Sequence, residues 1–282
     1  MSIKIYQAYY HENQISHLDP EFTPYDNTEN PVKNLYELYI YHQVRQLAQS
    51  EGVDLWGVFS WQWKNKMPGV VASEVIQVAN QGEQNGAGAI IFNAFPFDEV
   101  MAYNVWEQGE WCHPGICDLA RQLLTIMGEN PDLVCEPMDH RTYLTANYFI
   151  GDCKFWDGLL EFLDRFKAAI PLLSKECQEK LFSSAGYAPN PKLDYTGFIC
   201  ERMISTYLVK ELDNLDKRLF SVLPDWPLEQ YKDKPIVKLI DLKRYAVKNR
   251  DSSAMHEWNL IRPLPDHAKN QRIATEWINK MF

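Results

Sequence analysis

The chain has 282 residues, 46% of them hydrophobic, enough apolar mass to bury one large core with or without an attached helical subdomain, so disorder is not the default. A formal charge of −10, from 28 basic and 38 acidic residues, argues against a general nucleic-acid surface or an anionic-lipid anchor, since both need a positive field; a local basic pocket for a diphosphate is compatible with it. No apolar run approaches the ~20 residues that span a bilayer, and the opening MSIKIYQAYYHENQ lacks the apolar stretch of a secretion signal, so a cytoplasmic location is expected.

Residues 3–9 (IKIYQAY) form a short β-rich run. A polar stretch follows, carrying Asp19-Pro20, Pro24, Asp26-Asn27 and Asn30-Pro31, which predicts a long loop. From about Asn34 to Glu51, Leu35, Leu38, Tyr39, His42 and Leu47 recur at helical spacing, and Gly52 supplies a stop. Val53 to Trp63 reads as a second strand, Ser73 to Gln81 as a short helix, and Gly88 to Phe95 as a third strand, apolar almost throughout as expected of a strand covered on both faces. Strand and helix alternating in this way predict an α/β fold with a mostly parallel sheet. Ligands bind such sheets beyond the carboxyl ends of the strands, so the loops after Tyr9, Trp61 and Phe92 are where chemistry is expected.

The second half changes character. Helical periodicity runs through 114–128, 155–169, 174–183 and 198–212, then a Pro- and Trp-bearing segment (VLPDWPLEQYKDKP) precedes a short apolar run at Ile236–Ile240 and a last amphipathic helix near 268–281. This predicts a helical C-terminal extension packed on the sheet, with no internal repeat and no clean linker. The six cysteines are spread without the dense spacing of a secreted disulfide scaffold, and reduced thiols are the simpler reading. Nine Trp and 13% aromatic residues offer flat platforms for bases and sugar faces, although most large rings serve packing alone.

The loop after the first strand is the richest in polar chemistry. Residues 25–31 (YDNTENP) set a carboxylate, two amides and a hydroxyl ahead of a helix start. Asp26, Asn27 and Thr28 are thus candidates for a diphosphate or a sugar hydroxyl, and equally ordinary turn formers. The third strand ends in FNAFPFD, with Asn93 and then Asp98 in place of two closely spaced aspartates that would hold a divalent metal on a diphosphate. A bridging Mn or Mg ion is therefore not assigned, and no residue is assigned as a metal ligand. Without such an ion, cations must offset the leaving-group charge, with Lys64, Lys66 and Arg202 as candidates.

Residues 103–115 (YNVWEQGEWCHPG) gather Glu107, Glu110 and His113 among aromatics, where partial burial raises a carboxyl pKa toward the range useful for a base. A helix start with an aromatic anchor is the competing account. Cys112, His113 and Cys117 do not make a zinc site, because no fourth ligand is apparent and the spacing is not one of the usual ones. Glu201-Arg202 stands in an otherwise apolar helix, where ionised groups are expensive unless paired or facing a cleft. They bind a ligand or form a structural pair.

Taken in order, four segments resemble a bacterial family of capsular-polysaccharide glycosyltransferases, catalogued as a domain of unknown function and expected to have the GT-A fold. They are 26–39 (DNTENPVKNLYELY), 54–64 (DLWGVFSWQWK), 147–166 (NYFIGDCKFWDGLLEFLDRF) and 197–208 (GFICERMISTYL). In the second, Ser60-Trp61-Gln62-Trp63 stands where the family usually shows His-Tyr-Arg-Arg, and two cationic groups are missing from a loop near the expected donor site. The likeness spans roughly residues 3–210 and implies a GT-A-like (Rossmann-like) sheet. It implies that residues 1–135 form a nucleotide-sugar-binding α/β half, and that 136–282 form the acceptor side and helical C-terminal part of the same domain. Tyr9, Tyr10, Asp26 and Asn27 are then expected at the nucleotide, Ser60 and Lys64 near the donor, and Asn93 to Asp98 near the diphosphate. Asn147 and the Glu107–His113 segment would border the acceptor, and Glu201 with Arg202 would sit near the reacting centre.

The expected activity is transfer of a sugar from a nucleoside diphosphate to an acceptor hydroxyl on a surface polysaccharide or lipid-linked glycan. The expected partners are a nucleoside-diphosphate sugar and that acceptor, with no nucleic acid, no transmembrane segment and room for peripheral membrane association. Two rivals stand beside it. One is a non-catalytic glycan- or nucleotide-binding module; the other is hydrolysis by two facing carboxylates.

Overall fold

The computed structural model describes residues 2–32, 35–186, 193–215, 219–222, 235–268 and 273–282. Six strands, β1 (Ile3–Tyr9), β2 (Thr23–Asp26), β3 (Leu55–Ser60), β4 (Ala89–Phe92), β5 (Phe149–Asp152) and β6 (Leu219–Val222), form one sheet in the order β2-β1-β3-β5-β4-β6. β1 pairs in parallel with β2 and β3, and β4 with β6, whereas β5 runs antiparallel to both β3 and β4. The sheet is therefore mixed rather than mostly parallel without exception. Its one reversed strand among the described residues, β5, sits in the middle. The carboxyl ends of the other five strands share one rim with the start of β5.

Three strands were not expected from periodicity, and one of them, β5, was anticipated only through the resemblance. β2 lies where a loop is predicted, because Pro24 and Asp26 both disfavour strand; as an edge strand bonded only to β1, it tolerates a residue without an N–H. β6 is four residues long and is fixed by its pairing with β4 rather than by a pattern of its own. The segment 222–235, with its Pro and Trp residues, falls almost wholly outside the described residues. The apolar run at Ile236–Ile240 belongs to a longer helix, Pro235–Asn249, and the last helix spans Ile273–Met281.

Both faces of the sheet are covered, which is why β3 and β4 read as continuous apolar runs. On one face Ile5, Leu55, Phe59, Ile90 and Phe92 pack against Ala72, Val75 and Ala79 of the helix Ala72–Gln84. On the other, Tyr6, Ala8, Trp56, Val58 and Ile91 pack against the helices Tyr36–Ser50, Cys153–Ala169 and Tyr195–Lys210. The indoles of Trp56 and Trp156 stack with centroids 3.9 Å apart, and Trp156 Nε1 donates to the Trp56 carbonyl at 2.9 Å, pinning that second helix to β3. Gly57 is required where β3 crosses closest to β5, since a Cβ there would collide with the Phe149 carbonyl oxygen. All six cysteines are free, and among the described residues no helix is long and apolar enough to cross a membrane.

Candidate functional site

A recess opens at the carboxyl rim between β1 and β3. Its floor is Ala8, Val58 and Ser60, three residues of one sheet face, with Ala8 and Ser60 in register across the ladder. Glu37, Ile40 and Tyr41, at positions i, i+3 and i+4 of the helix Tyr36–Ser50, form one wall. Glu201, from the helix Tyr195–Lys210, faces in from another side. Tyr10, Lys66 and the pair Asn147–Tyr148 just ahead of β5 complete the lining. The recess is small, with a cavity volume of about 40 Å³.

Hydrogen bonds fix much of this lining. Asn147 Nδ2 donates to Glu37 Oε2 at 2.8 Å, and the hydroxyls of Ser60 and Tyr148 lie 2.9 Å apart. Asn147 is buried, yet its Oδ1 has no hydrogen-bond partner. Lys66 Nζ stands 5.8 Å from the Tyr148 ring centroid.

Two carboxylates thus share a small volume with one ammonium. Burial pushes the Glu37 carboxyl up to about 7 and the charge of Glu201 adds to the rise, while the Asn147 hydrogen bond and Lys66 pull the other way. Burial also raises Glu201, against the pull of Arg202 and Lys66. Near neutrality the pair therefore holds a proton that isolated glutamates would have released. Such a site can exchange a proton with a bound hydroxyl.

The remaining residues singled out from sequence divide by place. Ser60, Tyr10, Asn147 and Glu201 line the recess. Tyr9, Asp26, Asn27 and Thr28 lie on the adjoining stretch of the same rim. Asp26 accepts from the Thr28 backbone at 2.9 Å and from its hydroxyl at 2.7 Å, and these bonds, with one from Tyr9, hold its carboxyl below the ordinary range. Asn27 continues the β1–β2 ladder through its N–H to Tyr9 and is buried, with neither end of its amide paired. Lys64 is committed to Asp19 at 2.7 Å.

The structure does not bring the others to this recess. Asn93 donates to Glu99 at 2.7 Å, and Glu99 is gripped by Arg244 at 2.9 and 2.8 Å, so the amide belongs to a buried network at the carboxyl end of β4, apart from the recess. Asp98, in the helix Pro96–Met101, does not line the recess, and its carboxyl is raised by burial. Glu107 is locked to Arg262 and accepts from the Tyr103 N–H at 2.6 Å. Glu110 accepts from Gly115 N at 2.6 Å and Cys117 N at 3.1 Å, placing a negative charge at the start of the helix Ile116–Ile126. His113 bonds the Ala185 carbonyl at 2.9 Å and stacks on Phe198 at 4.0 Å; burial lowers its pKa. Arg202 points away from its neighbour Glu201 and donates to the carbonyls of Val105 at 2.9 Å and Phe198 at 3.0 Å and to the Gln108 side chain. These four groups hold helices together. Of the structural and functional accounts open from sequence, the structural one describes their contacts.

Glu37, Tyr41 and Tyr148 are lining residues that the sequence reading passed over as candidates. The signal for Glu37 was its place in the first turn of the helix, on the same face as Ile40 and Tyr41.

A broader groove between the helices Tyr36–Ser50 and Cys153–Ala169 carries His42, Arg45, Asp157 and Asp164. Its charges are already joined, His42 to Asp164 at 2.9 Å and Arg45 to Asp157 at 2.5 Å. Among the described residues no group of three or more His, Cys, Asp and Glu side chains is placed to hold a metal ion. Comparisons of the chain with family models, with curated proteins and with solved structures find no match.

Proposed function

We propose that this chain is a glycosyltransferase that moves a sugar from a nucleoside-diphosphate donor to an acceptor hydroxyl, on a GT-A-like sheet, in the manner of the capsular-polysaccharide transferases it resembles. One observation carries the reading. The four segments of the resemblance are scattered over the chain, yet each delivers a lining residue to a single recess: Glu37 from the first, Ser60 from the second, Asn147 from the third and Glu201 from the fourth. The recess also lies at the carboxyl rim, where α/β sheets bind ligands.

In this reading the transfer inverts the anomeric centre, which requires a base at the acceptor. The acceptor oxygen forms its bond to the anomeric carbon as the bond to the diphosphate breaks, the leaving oxygen keeps that electron pair, and the acceptor proton passes to the Glu37–Glu201 pair. A carboxyl that titrates near 7 is matched to that task. The donor diphosphate belongs on the adjoining stretch of rim, beside Asp26, Asn27 and Thr28.

Incubation of the full chain with a panel of nucleoside-diphosphate sugars, with manganese and with chelator, tests the proposal. Release of nucleoside diphosphate from one donor, lost in Glu37→Gln, is the expected result; no consumption of any donor, with acceptor extracts present, refutes it. The facing carboxylates also favour a second reading, hydrolysis of a glycoside, with the acid that keeps its proton protonating the leaving oxygen. Release of nitrophenol from an aryl glycoside without any nucleotide would select that reading.

A further inference from the structure

The size of the recess says which kind of hydroxyl can enter it. At about 40 Å³ it has room for about three water-sized groups, whereas pockets that enclose a whole small molecule run to about 300–1,000 Å³. Its walls are not elastic. Ala8 and Val58 stand on the paired strands β1 and β3, and with Ile40 and Tyr41 of the helix Tyr36–Ser50 they belong to the buried core. On the other sides Asn147 holds Glu37 at 2.8 Å, and the Ser60 and Tyr148 hydroxyls lie 2.9 Å apart. Core side chains packed at crystal-like density do not part to admit a sugar ring.

The two carboxylates can nevertheless be reached. Glu37, Ser60, Lys66 and Glu201 are half-buried, so each keeps accessible surface, and all four line the recess. The lining is also two-sided, with hydrocarbon from Ala8, Ile40 and Val58 and acceptors from Glu37 and Glu201. A hydroxymethyl arm matches both halves. Its methylene lies against the hydrocarbon, and its O–H donates to the carboxylates. A secondary ring hydroxyl is attached to a carbon held in the ring on both sides, and those neighbours do not fit with it.

We infer that the recess is a steric filter for a primary alcohol: the acceptor sugar stays outside and inserts its exocyclic hydroxymethyl arm, whose oxygen is the one glycosylated. This rests on the transferase reading and deepens it by naming the class of hydroxyl the site accepts. The arm's oxygen bonds to the anomeric carbon, its proton passes to the Glu37–Glu201 pair, and the diphosphate leaves with the electrons of the broken bond. Ala8, Ile40 and Val58 are specificity-determining residues, because they set the width of the opening.

The test uses the full chain and methyl glycosides of the common neutral hexoses, each alongside its monodeoxy counterparts, with binding and contact followed by saturation-transfer NMR. The expected result is that at least one glycoside binds with its strongest saturation at the hydroxymethyl protons. Its counterpart lacking the hydroxymethyl oxygen should bind at least about tenfold more weakly, and removal of any ring hydroxyl should matter less. Ala8→Val fills the recess and is expected to bring the intact glycoside down to the level of that counterpart. Binding of none of the glycosides, saturation centred on the ring, equal binding with and without the hydroxymethyl oxygen, or unchanged binding in Ala8→Val overturns the inference. The deoxy series needs no variant and decides the matter even if Ala8→Val does not fold. The linkage formed from any consumed donor is read separately. A new bond at a ring hydroxyl refutes the filter and leaves the transferase standing; saturation at the hydroxymethyl group with no nucleotide sugar consumed refutes the transferase and leaves the filter standing.

Discussion

Arg262 and Glu107 meet through two hydrogen bonds, Nη1 to Oε2 at 2.6 Å and Nη2 to Oε1 at 2.8 Å, with both side chains almost wholly removed from solvent. Arg262 also donates to the Met101 carbonyl at 2.7 Å and lies over the Trp258 ring. Removing one partner leaves the other as an unpaired buried charge, so Glu107→Gln and Arg262→Met should each lower stability by about 3–5 kcal/mol. The double variant Glu107→Leu with Arg262→Met should recover most of that loss. Urea unfolding of the four proteins measures it; a Glu107→Gln variant that is fully stable but inactive would instead return Glu107 to the chemistry.

Arg202→Lys gives a milder form of the same contrast. The guanidinium spans two carbonyls and the Gln108 side chain, a reach that a single ammonium does not match. A stability loss of about 1–3 kcal/mol is expected, with donor and acceptor KM unchanged once the protein is folded. Thermal unfolding and a two-substrate kinetic series check it.

Glu37 should show the opposite sign for stability and activity. Its carboxyl titrates at about 7 in the folded chain against an ordinary 4.5. The folded state therefore keeps a proton that the unfolded chain releases between those values, and stability falls as pH rises through that window. Glu37→Gln keeps an acceptor for Asn147 and removes the titration. It should be more stable than the parent by about 1–3 kcal/mol at pH 8, indistinguishable from it near pH 4, and inactive. Denaturation curves at the two pH values test the raised titration, and turnover at pH 8 separates a base from a purely structural glutamate, whose replacement would leave activity intact.

Lys243 bends the profile the other way. It is fully buried, and Nζ lies 2.6 Å from the carbonyls of both Glu99 and Ala102, two acceptors that a neutral amine already satisfies with its two protons. Burial lowers its pKa from 10.5 to about 7, so between those values the unfolded chain binds the extra proton and stability rises with pH. Lys243→Met should flatten the rise. Comparing denaturant midpoints of parent and variant at pH 7.5 and 9.5 reads the slope directly, and an equal slope in both would show that Lys243 does not cause it.

The sequence carried the sheet and the rim more fully than it carried the recess. Strand and helix alternation located β1, β3 and β4 because their apolar runs are covered on both faces, whereas β2 was concealed by Pro24 and Asp26, whose strand conformation depends on a neighbour and not on propensity. Glu201 was legible from the expense of an ionised group in an apolar helix. Glu107 was read as a candidate base from its aromatic setting, but its cation stands 155 residues away, and no local pattern reveals a partner at that distance. Asn147 was reached only through resemblance, and Glu37 was hidden by its ordinary place in the first turn of a helix, where a glutamate is favoured by the dipole alone.

β5 runs against its neighbours and lies between β3 and β4. As the chain leaves the ribosome, β3 and β4 emerge long before the strand that must fill the gap between them, so each waits with an unbonded edge toward a vacancy one strand wide. Closing that vacancy depends on contacts distant in sequence, which form slowly. Polypeptides ending before residue 149 should therefore self-associate through those two edges, and expression of shortened forms will succeed only when β5 is included in them.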